Sequence, residues 1–549
     1  MKIGRNQICP LCNSGKKYKK CCGNPLLNAL ASSSSFPPGR VSSESSKILG
    51  RMEADELIRR QQQGLGKGII ATKFQGRQLV AVGNTVYHSS KWKTFPDFLS
   101  DYLKMTLGEA WGNSEISKPI EDRHTILQWY QKYCEHQKAH HDGTDNVKSM
   151  PTTGLVYCYL GLAYNLYLLK HNVELQLRYI ERLKDINNFQ GAYYELIVAN
   201  CLIRAGFRLQ LEDESDEMTK HCEFSAVSGK TGKIYWVEAK SRAVANMLGK
   251  STKNGTTKKD PTCMLSKHLN NALFKPASGE RLIFIDVNTG FEDGATPAWI
   301  EKAGTKLDMK EKDLKAGQTA YVFVTNIAYH WNLDNAKVGA VILAHGLGIS
   351  DFAKKGYFRL SEIYRRKQRH IDAYDVMAAF ADYPKLPETF DGSLPSDAFD
   401  GNSKRLMIGG TYFFEGVGGE EGLIATVTSA TVAEHKKLMY IGTDKGQILT
   451  KPMSDAELAD YRNHRDAFFG VLHRQGKTAK NEYEFYEDLV EIHMAYPREN
   501  LLRLTEKWTD AEELKKLSHE DLVLEYCERI SLSVIGNSGR QDQPSTKST

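Results

Sequence analysis

Between Cys222 and Arg242 the chain reads CEFSAVSGKTGKIYWVEAKSR: two strand-like runs, a glycine-containing turn between them, and the ending Glu238-Ala239-Lys240. Side chains alternate faces along a strand, so Glu238 and Lys240 point the same way, with Ile234 and Trp236 behind them. If the loop Ser228–Lys233 closes a hairpin with Val227 opposite Ile234, Glu223 lies directly across from Glu238. Like charges facing each other destabilise a sheet. A divalent cation between them reverses that sign, and two hard carboxylates are what Mg²⁺ or Mn²⁺ prefers.

The segments around this hairpin are helical and strand-like in alternation. Asn188–Ala205 reads as a helix closed by Gly206, and on it Glu195, Val198, Ala199 and Leu202 share one face. A carboxylate aligned with a buried face is costly unless something pairs with it, which makes Glu195 a third candidate. Beyond Lys240 come a helix near Thr262–Phe274, the apolar strand pattern Arg281–Val287, a helix over Pro297–Ala303 and the strand pattern Ala320–Asn326. That order is α/β. The segment Gly154–Leu169 is uncharged but only 16 residues long, too short for a membrane span, and reads as a buried core helix.

Glu223, Glu238-x-Lys240 and the preceding Glu195 resemble the PD-(D/E)xK nuclease superfamily, whose core is the restriction-endonuclease-like fold. The resemblance covers about Gly191 to Asn326. It implies that Glu223 and Glu238 bind the catalytic metal, helped by the Ala239 carbonyl. It also implies that Lys240 positions or activates the attacking water and that the helix supplies a further acid. Where the family usually has Asp, often after Pro, this chain has Cys222-Glu223.

A chain of 549 residues is too long for one hydrophobic core, and 41% hydrophobic with 26% charged residues is ordinary for a soluble protein. The net charge of +6 is unevenly spread. Of the 73 basic residues, seven fall in residues 1–43, which contain no acid, leaving 66 against 67 acidic residues over the remainder. The basic character therefore belongs to the N-terminus. No secretory signal follows Met1, and ten cysteines in a chain this size do not suggest a disulfide scaffold, so a cytoplasmic protein is expected.

Four of those cysteines, Cys9, Cys12, Cys21 and Cys22, are the right number of thiolates for a closed tetrahedral zinc site. So short a peptide cannot build a core, and metal binding would supply its folding energy. With Ser14-Gly15-Lys16-Lys17-Tyr18-Lys19-Lys20 between the pairs, the module resembles the SEC-C motif, although Cys-Pro-Leu-Cys is one residue longer than that family's usual Cys-x-Cys opening. The resemblance implies structural Zn²⁺ and an adaptor that meets a protein partner or phosphates rather than a catalyst.

Other clusters have plainer readings. Cys134, His136, His140 and His141 sit in charged helical surroundings and read as a solvated helix end. The loop Lys250–Lys259 is lysine-rich and suits either phosphate contacts or a mobile surface, and Lys267 and His268 are on the helix that follows. Tyr364–His370 is the densest basic run outside the N-terminus; it reads as a charged helix face first and a nucleic-acid surface second. The chain has no P-loop, dinucleotide fingerprint, serine-hydrolase elbow or His-Glu-x-x-His, and no solenoid-type repeat.

The expected organisation is a zinc knuckle at 1–25, a flexible linker at 26–46, a mainly helical domain with a short β element at 47–150, and the nuclease-like α/β domain at 151–390. A small β-rich domain at 391–453, a helical domain at 454–535 and a polar tail at 536–549 complete it. The expected fold is α/β, a restriction-endonuclease-like mixed sheet flanked by helices. The expected function is a Mg²⁺- or Mn²⁺-dependent nuclease acting on DNA more than RNA, with the knuckle as adaptor. By architectural analogy with bacterial nucleases that carry accessory domains, defence or mobile-element biology is the setting. Two alternatives are a non-catalytic nucleic-acid-binding protein with a degenerate nuclease core and a SEC-C-led interaction factor in secretion or translation.

Overall fold

The computed structural model describes residues 43–541, apart from 141–149, 175–176, 212–222, 245–259, 292–295, 316, 337–338, 353–357, 393–405, 416–421, 464, 466–467, 472–480 and 495. The cysteines of the N-terminal knuckle, most of the linker, His141 and the lysine-rich loop up to Lys259 lie outside these residues. The chain divides into two compact units, residues 1–57 with 410–460 and residues 58–409 with 461–549.

The first elements are helix α1 (Ser43–Gln63) and a three-stranded antiparallel meander, β1 (Ile70–Phe74), β2 (Arg77–Val82) and β3 (Thr85–Ser89). β2 and β3 are separated by a tight turn at Gly83, where φ is +60°. Helices α2 (Phe95–Leu107), α3 (Glu109–Ile116), α4 (Thr125–Ala139), α5 (Gly154–Asn172), α6 (Leu177–Lys184) and α7 (Phe189–Arg204) follow. Helix α5 is apolar all round and buried nearly throughout, the condition of a helix at the centre of a large core. Its first residue must be glycine, because a Cβ there would lie 2.3 Å from the Asn332 carbonyl oxygen. Among the described residues no helix is long and apolar enough to cross a membrane.

The main sheet has six strands in sequence order: β4 (Phe207–Leu211), β5 (Phe224–Ser228), β6 (Ile234–Ser241), β7 (Glu280–Asp286), β8 (Ala320–Ile327) and β9 (Ala340–Leu347). β4, β5 and β6 form an antiparallel meander, β6, β7 and β8 run parallel, and β9 returns antiparallel. Parallel neighbours need crossovers, supplied by α8 (Leu265–Phe274) between β6 and β7 and by α9 (Ala298–Lys312) between β7 and β8. Both crossover helices pack on one face of the sheet through Leu265, Leu269, Trp299 and Leu307 against Ile283, Ile285, Val322 and Val324. On the other face Val237, Ala239, Leu282 and Phe284 meet the large core built by α2, α5 and α7. The result is a mixed α/β fold with helices on both sheet faces. β4 and β9 extend the sheet beyond the expected strands.

That large core runs without interruption from Val80 to Tyr383, so the segments 47–150 and 151–390 share it. After the sheet, α10 (Leu360–Arg369) and α11 (Ile371–Ala381) follow. The four strands β10 (Thr411–Phe414), β11 (Leu423–Ala433), β12 (Leu438–Thr443) and β13 (Ile448–Pro452) make an antiparallel meander in the other unit. Past α12 (Asp455–Asn463), the helices α13 (Glu482–Met494), α14 (Arg498–Thr505), α15 (Ala511–Leu514) and α16 (His519–Gln541) enclose a small core around Tyr486, Leu501 and Leu522, joined by Leu360 and Tyr364 of α10. Helix α1 begins inside the segment read as linker, and α16 continues into the segment read as tail.

Candidate functional site: an acid and lysine cluster on the β5–β6 hairpin

The hairpin pairs Val227 with Ile234 and Phe224 with Val237, the register of a hairpin closed by the loop Ser228–Lys233. The ladder ends at Phe224. The Glu223 amide donates to the Val237 carbonyl at 3.0 Å, so Glu223 sits one step off the regular pairing with Glu238. Both carboxylates still reach a common pair of lysines. Lys240 Nζ donates to Glu223 Oε1 and lies 3.2 Å from Glu238 Oε2. Lys275 Nζ lies 2.5 Å from Glu238 Oε1 and 3.8 Å from Glu223 Oε1.

The alternation of β6 explains which face these groups occupy. Val237 and Ala239 enter the large core, whereas Glu238 and Lys240 pair in register with Ile283 and Ile285 of the opposite face. Helix α8 packs over that face, and Lys275 is the residue that ends it. The helix stops there because residue 276 is proline, which disfavours helical backbone in its predecessor; Lys275 takes φ −69° and ψ 144°. The Lys275 carbonyl accepts from Arg281 Nη2 at 3.0 Å, which anchors the backbone from which the side chain reaches Glu238.

Glu238 is 0% exposed, yet neither of its carboxylate oxygens accepts a well-aligned hydrogen bond. Two ammonium groups at ion-pair distance compensate it instead. Burial, with the Glu223 charge adding to it, raises its pKa against the pull of Lys240 and Lys275. Glu223 goes the other way: burial works against ionisation, but Lys240 and Lys275 outweigh it and hold the carboxyl below its ordinary range. Lys240 is itself half-buried, and the two carboxylates raise its pKa despite the cost of that desolvation.

Glu195 is buried on α7, as its place on the apolar face requires, and it is paired there. Arg182 of α6 donates to Glu195 Oε1 at 2.7 Å. Burial and the nearby Glu223 charge push Glu195 up to about 7, against Arg182. A cavity of about 20 Å³ lies between Glu195 and Glu223, lined also by Tyr179, Ala199 and Phe224, room for one water molecule. Around the whole cluster Arg182, Lys240 and Lys275 match Glu195, Glu223 and Glu238 charge for charge.

Of the two further residues on α8, Lys267 is exposed, while the half-buried His268 is held down to about 4 by burial and by Lys240 and Lys267. His268 is thus a neutral imidazole beside the lysine, and its Nε2 has no hydrogen-bond partner. Lys275 and Arg182 carried no motif. Their signal is only a lysine before a helix-ending proline and an arginine on a short helix with a strong apolar face.

The other charged clusters resolve differently. Every cation of the run Arg365–Arg369 has an acidic partner: Arg365 bonds Asp521, Arg366 bonds Glu362, Lys367 lies 2.5 Å from Glu487, and Arg369 lies 2.9 Å from Asp351. Arg365 and Lys367 thus face α16 and α13, Arg366 pairs within α10, and Arg369 pairs with the segment before it. His136 and His140 bond the carbonyls of Pro151 and His136 at the exposed end of α4. Among the described residues no three His, Cys, Asp or Glu side chains gather into a group able to hold a metal, and this includes the three acids of the hairpin site.

A family model, the SEC-C motif, matches residues 5–24, the cysteine module at the N-terminus. No curated protein and no solved structure matches the chain. The family match is therefore confined to the knuckle and does not extend to the hairpin site.

Proposed function

We propose that the chain is a metal-dependent phosphodiesterase acting on nucleic acid, DNA in preference to RNA. The observation that carries the reading is the convergence of Glu223, Glu238 and Lys240 at one end of a three-stranded meander, between a preceding helix bearing Glu195 and a crossover helix on the other side. That order is the one the PD-(D/E)xK resemblance leads to expect, with Glu223 in place of the family's usual Asp.

The donor set suits a hard divalent cation in one specific respect. A fully buried carboxylate with two oxygens outside any good hydrogen bond is served by point charges rather than by directional donors. Glu223 and Glu238 would hold Mg²⁺ or Mn²⁺, which when bound would polarise a phosphate and acidify a water. Lys240 orients the attacking water and offsets charge building on the phosphate. By resemblance the products carry 5′-phosphate and 3′-hydroxyl ends. The knuckle, a SEC-C motif with Cys9, Cys12, Cys21 and Cys22 on structural zinc, acts as a tethered adaptor to a protein partner or phosphates. Defence or mobile-element biology is the setting that such an architecture suggests.

A second reading, nucleic-acid binding without cutting, is favoured by one observation. Glu223 and Glu238 are already neutralised by Lys240 and Lys275, and with Glu195 they do not form a three-acid metal group.

Incubating the full chain with single- and double-stranded DNA and RNA in Mg²⁺, Mn²⁺ or chelator separates the two. We expect cutting that needs the divalent ion and falls at least about a hundredfold in Lys240→Ala. Cutting that survives the substitution would remove the site from the mechanism. Binding that is indifferent to Mg²⁺, with no cutting, would establish the second reading.

A further inference from the structure

We propose that Lys275 is a resident counter-cation of the carboxylate pair: it holds Glu238 until a divalent metal takes its place, and the released ammonium group then binds the scissile phosphate. The proposal rests on the reading of Glu223 and Glu238 as metal ligands. It assigns a role to a residue that the Glu-x-Lys motif does not contain.

Glu238 is fully buried, and an uncompensated carboxylate there would not stay ionised. Lys240 cannot meet that need alone, because its ammonium is hydrogen-bonded to Glu223 and stands 3.2 Å from Glu238. The cation closer to Glu238 is Lys275, at 2.5 Å from Glu238 Oε1 and 3.8 Å from Glu223 Oε1. A metal dication and an ammonium group cannot both occupy that position without strong repulsion. Metal binding therefore has to displace one of the two ammonium groups, and Lys275, 3.8 Å from Glu223 where Lys240 is hydrogen-bonded to it, is the more loosely held.

The geometry allows that displacement without unfolding anything. Lys275 sits past the last turn of α8, its backbone held by the following proline and by Arg281, while four methylenes carry the charge. Its side chain is 18% exposed, so a path to the outside exists. A bound divalent metal would add two positive charges to the cluster, a suitable surrounding for a phosphodiester gaining charge as it is attacked. A mobile ammonium beside it is a point-charge phosphate ligand.

Mg²⁺ titration by calorimetry of zinc-loaded wild type, Lys275→Met and Glu238→Gln tests this. Lys275→Met is expected to bind Mg²⁺ at least about fivefold tighter, a typical coupling between sites, while its turnover of DNA falls. A purely structural lysine would not produce opposite changes in metal affinity and turnover. Unchanged or weaker Mg²⁺ binding by folded Lys275→Met, while Glu238→Gln loses the metal, would overturn the role of Lys275 and leave the metal reading standing. Unaltered Mg²⁺ binding by Glu238→Gln would remove both.

Should Lys275→Met fail to fold, trace acetylation of the wild-type chain decides instead. Reactivity of Lys275, normalised to exposed Lys516, is expected to rise when MgCl₂ is added. No change in that ratio at Mg²⁺ concentrations that support binding would overturn the proposal.

Discussion

Glu195 shows how one buried carboxylate couples the site to folding. In the folded chain its pKa is pushed to about 7, above the ordinary 4.5, so the folded state holds a proton that the unfolded state has already released. The sign follows from linkage: between about pH 4.5 and 7 the folded state binds more protons, and stability falls as pH rises through that window. Asp286, buried at the end of β7 and pushed from 3.8 to about 7, acts in the same sense. Glu195→Gln is therefore expected to flatten part of this decline, gaining stability over wild type at pH 8 and losing that advantage near pH 4.5. Urea melts across the range would show it, and parallel curves would contradict the assignment. Glu195 was legible in the sequence because a Glu on an apolar helix face demands a partner. Which partner was not: Arg182 lies on another helix, and no spacing rule connects the two.

At the scale of elements, the hairpin is held from behind by α11. Asp372, in the first turn of that helix, accepts from Ser228 Oγ at 2.6 Å, Thr231 Oγ1 at 2.5 Å and Tyr235 Oη at 2.8 Å. The turn Ser228–Lys233 and strand β6 are thereby pinned to one buried carboxylate. Asp372→Ala leaves three hydroxyls without their acceptor, two of them on residues that are themselves buried, and is expected to cost about 3 kcal/mol. Chemical denaturation measures that; a loss under about 0.5 kcal/mol, the range of ordinary surface substitutions, would contradict it. The hairpin register was readable because alternation and a short turn are local. Strands β4 and β9 lie outside the expected elements although each carries a local strand pattern, the alternation Phe207–Leu211 and the apolar run Ala340–Leu343; what only the fold supplies is their pairing with β5 and β8. Helix α10 is a similar case: its basic run is visible in sequence, but the acids on α13 and α16 that neutralise it lie more than a hundred residues away.

For the molecule as a whole, that neutralisation bears on how nucleic acid would be met. A basic face already occupied by carboxylates releases few counterions on binding DNA. Arg365→Ala is therefore expected to leave the slope of DNA affinity against salt concentration unchanged, within about 0.3 in the log–log plot, in fluorescence anisotropy. A slope shallower by about one would place Arg365 on the phosphate backbone after all. The N-terminal module carries a separate expectation: metal analysis of the full chain should give about one zinc, lost when Cys21 and Cys22 are changed to Ser. Zinc that survives those changes would remove the closing pair from the site.

What the sequence determined by itself was local. Alternation set the faces of Glu238 and Lys240, a short loop at Ser228–Lys233 suggested the register of the hairpin, uniform hydrophobicity put α5 in the core, and four cysteines defined the knuckle. The tertiary structure alone decided that Lys275 sits between the two acids, that Arg182 pairs with Glu195, that Asp372 gathers three hydroxyls, and that segments on either side of residue 150 share one core. The physical reason lies in how each preference arises. Backbone periodicity and turn chemistry act over a few residues and leave a pattern in the chain. The compensation of a buried charge needs only a partner within a few ångströms, and the fold can bring that partner from any distance along the sequence.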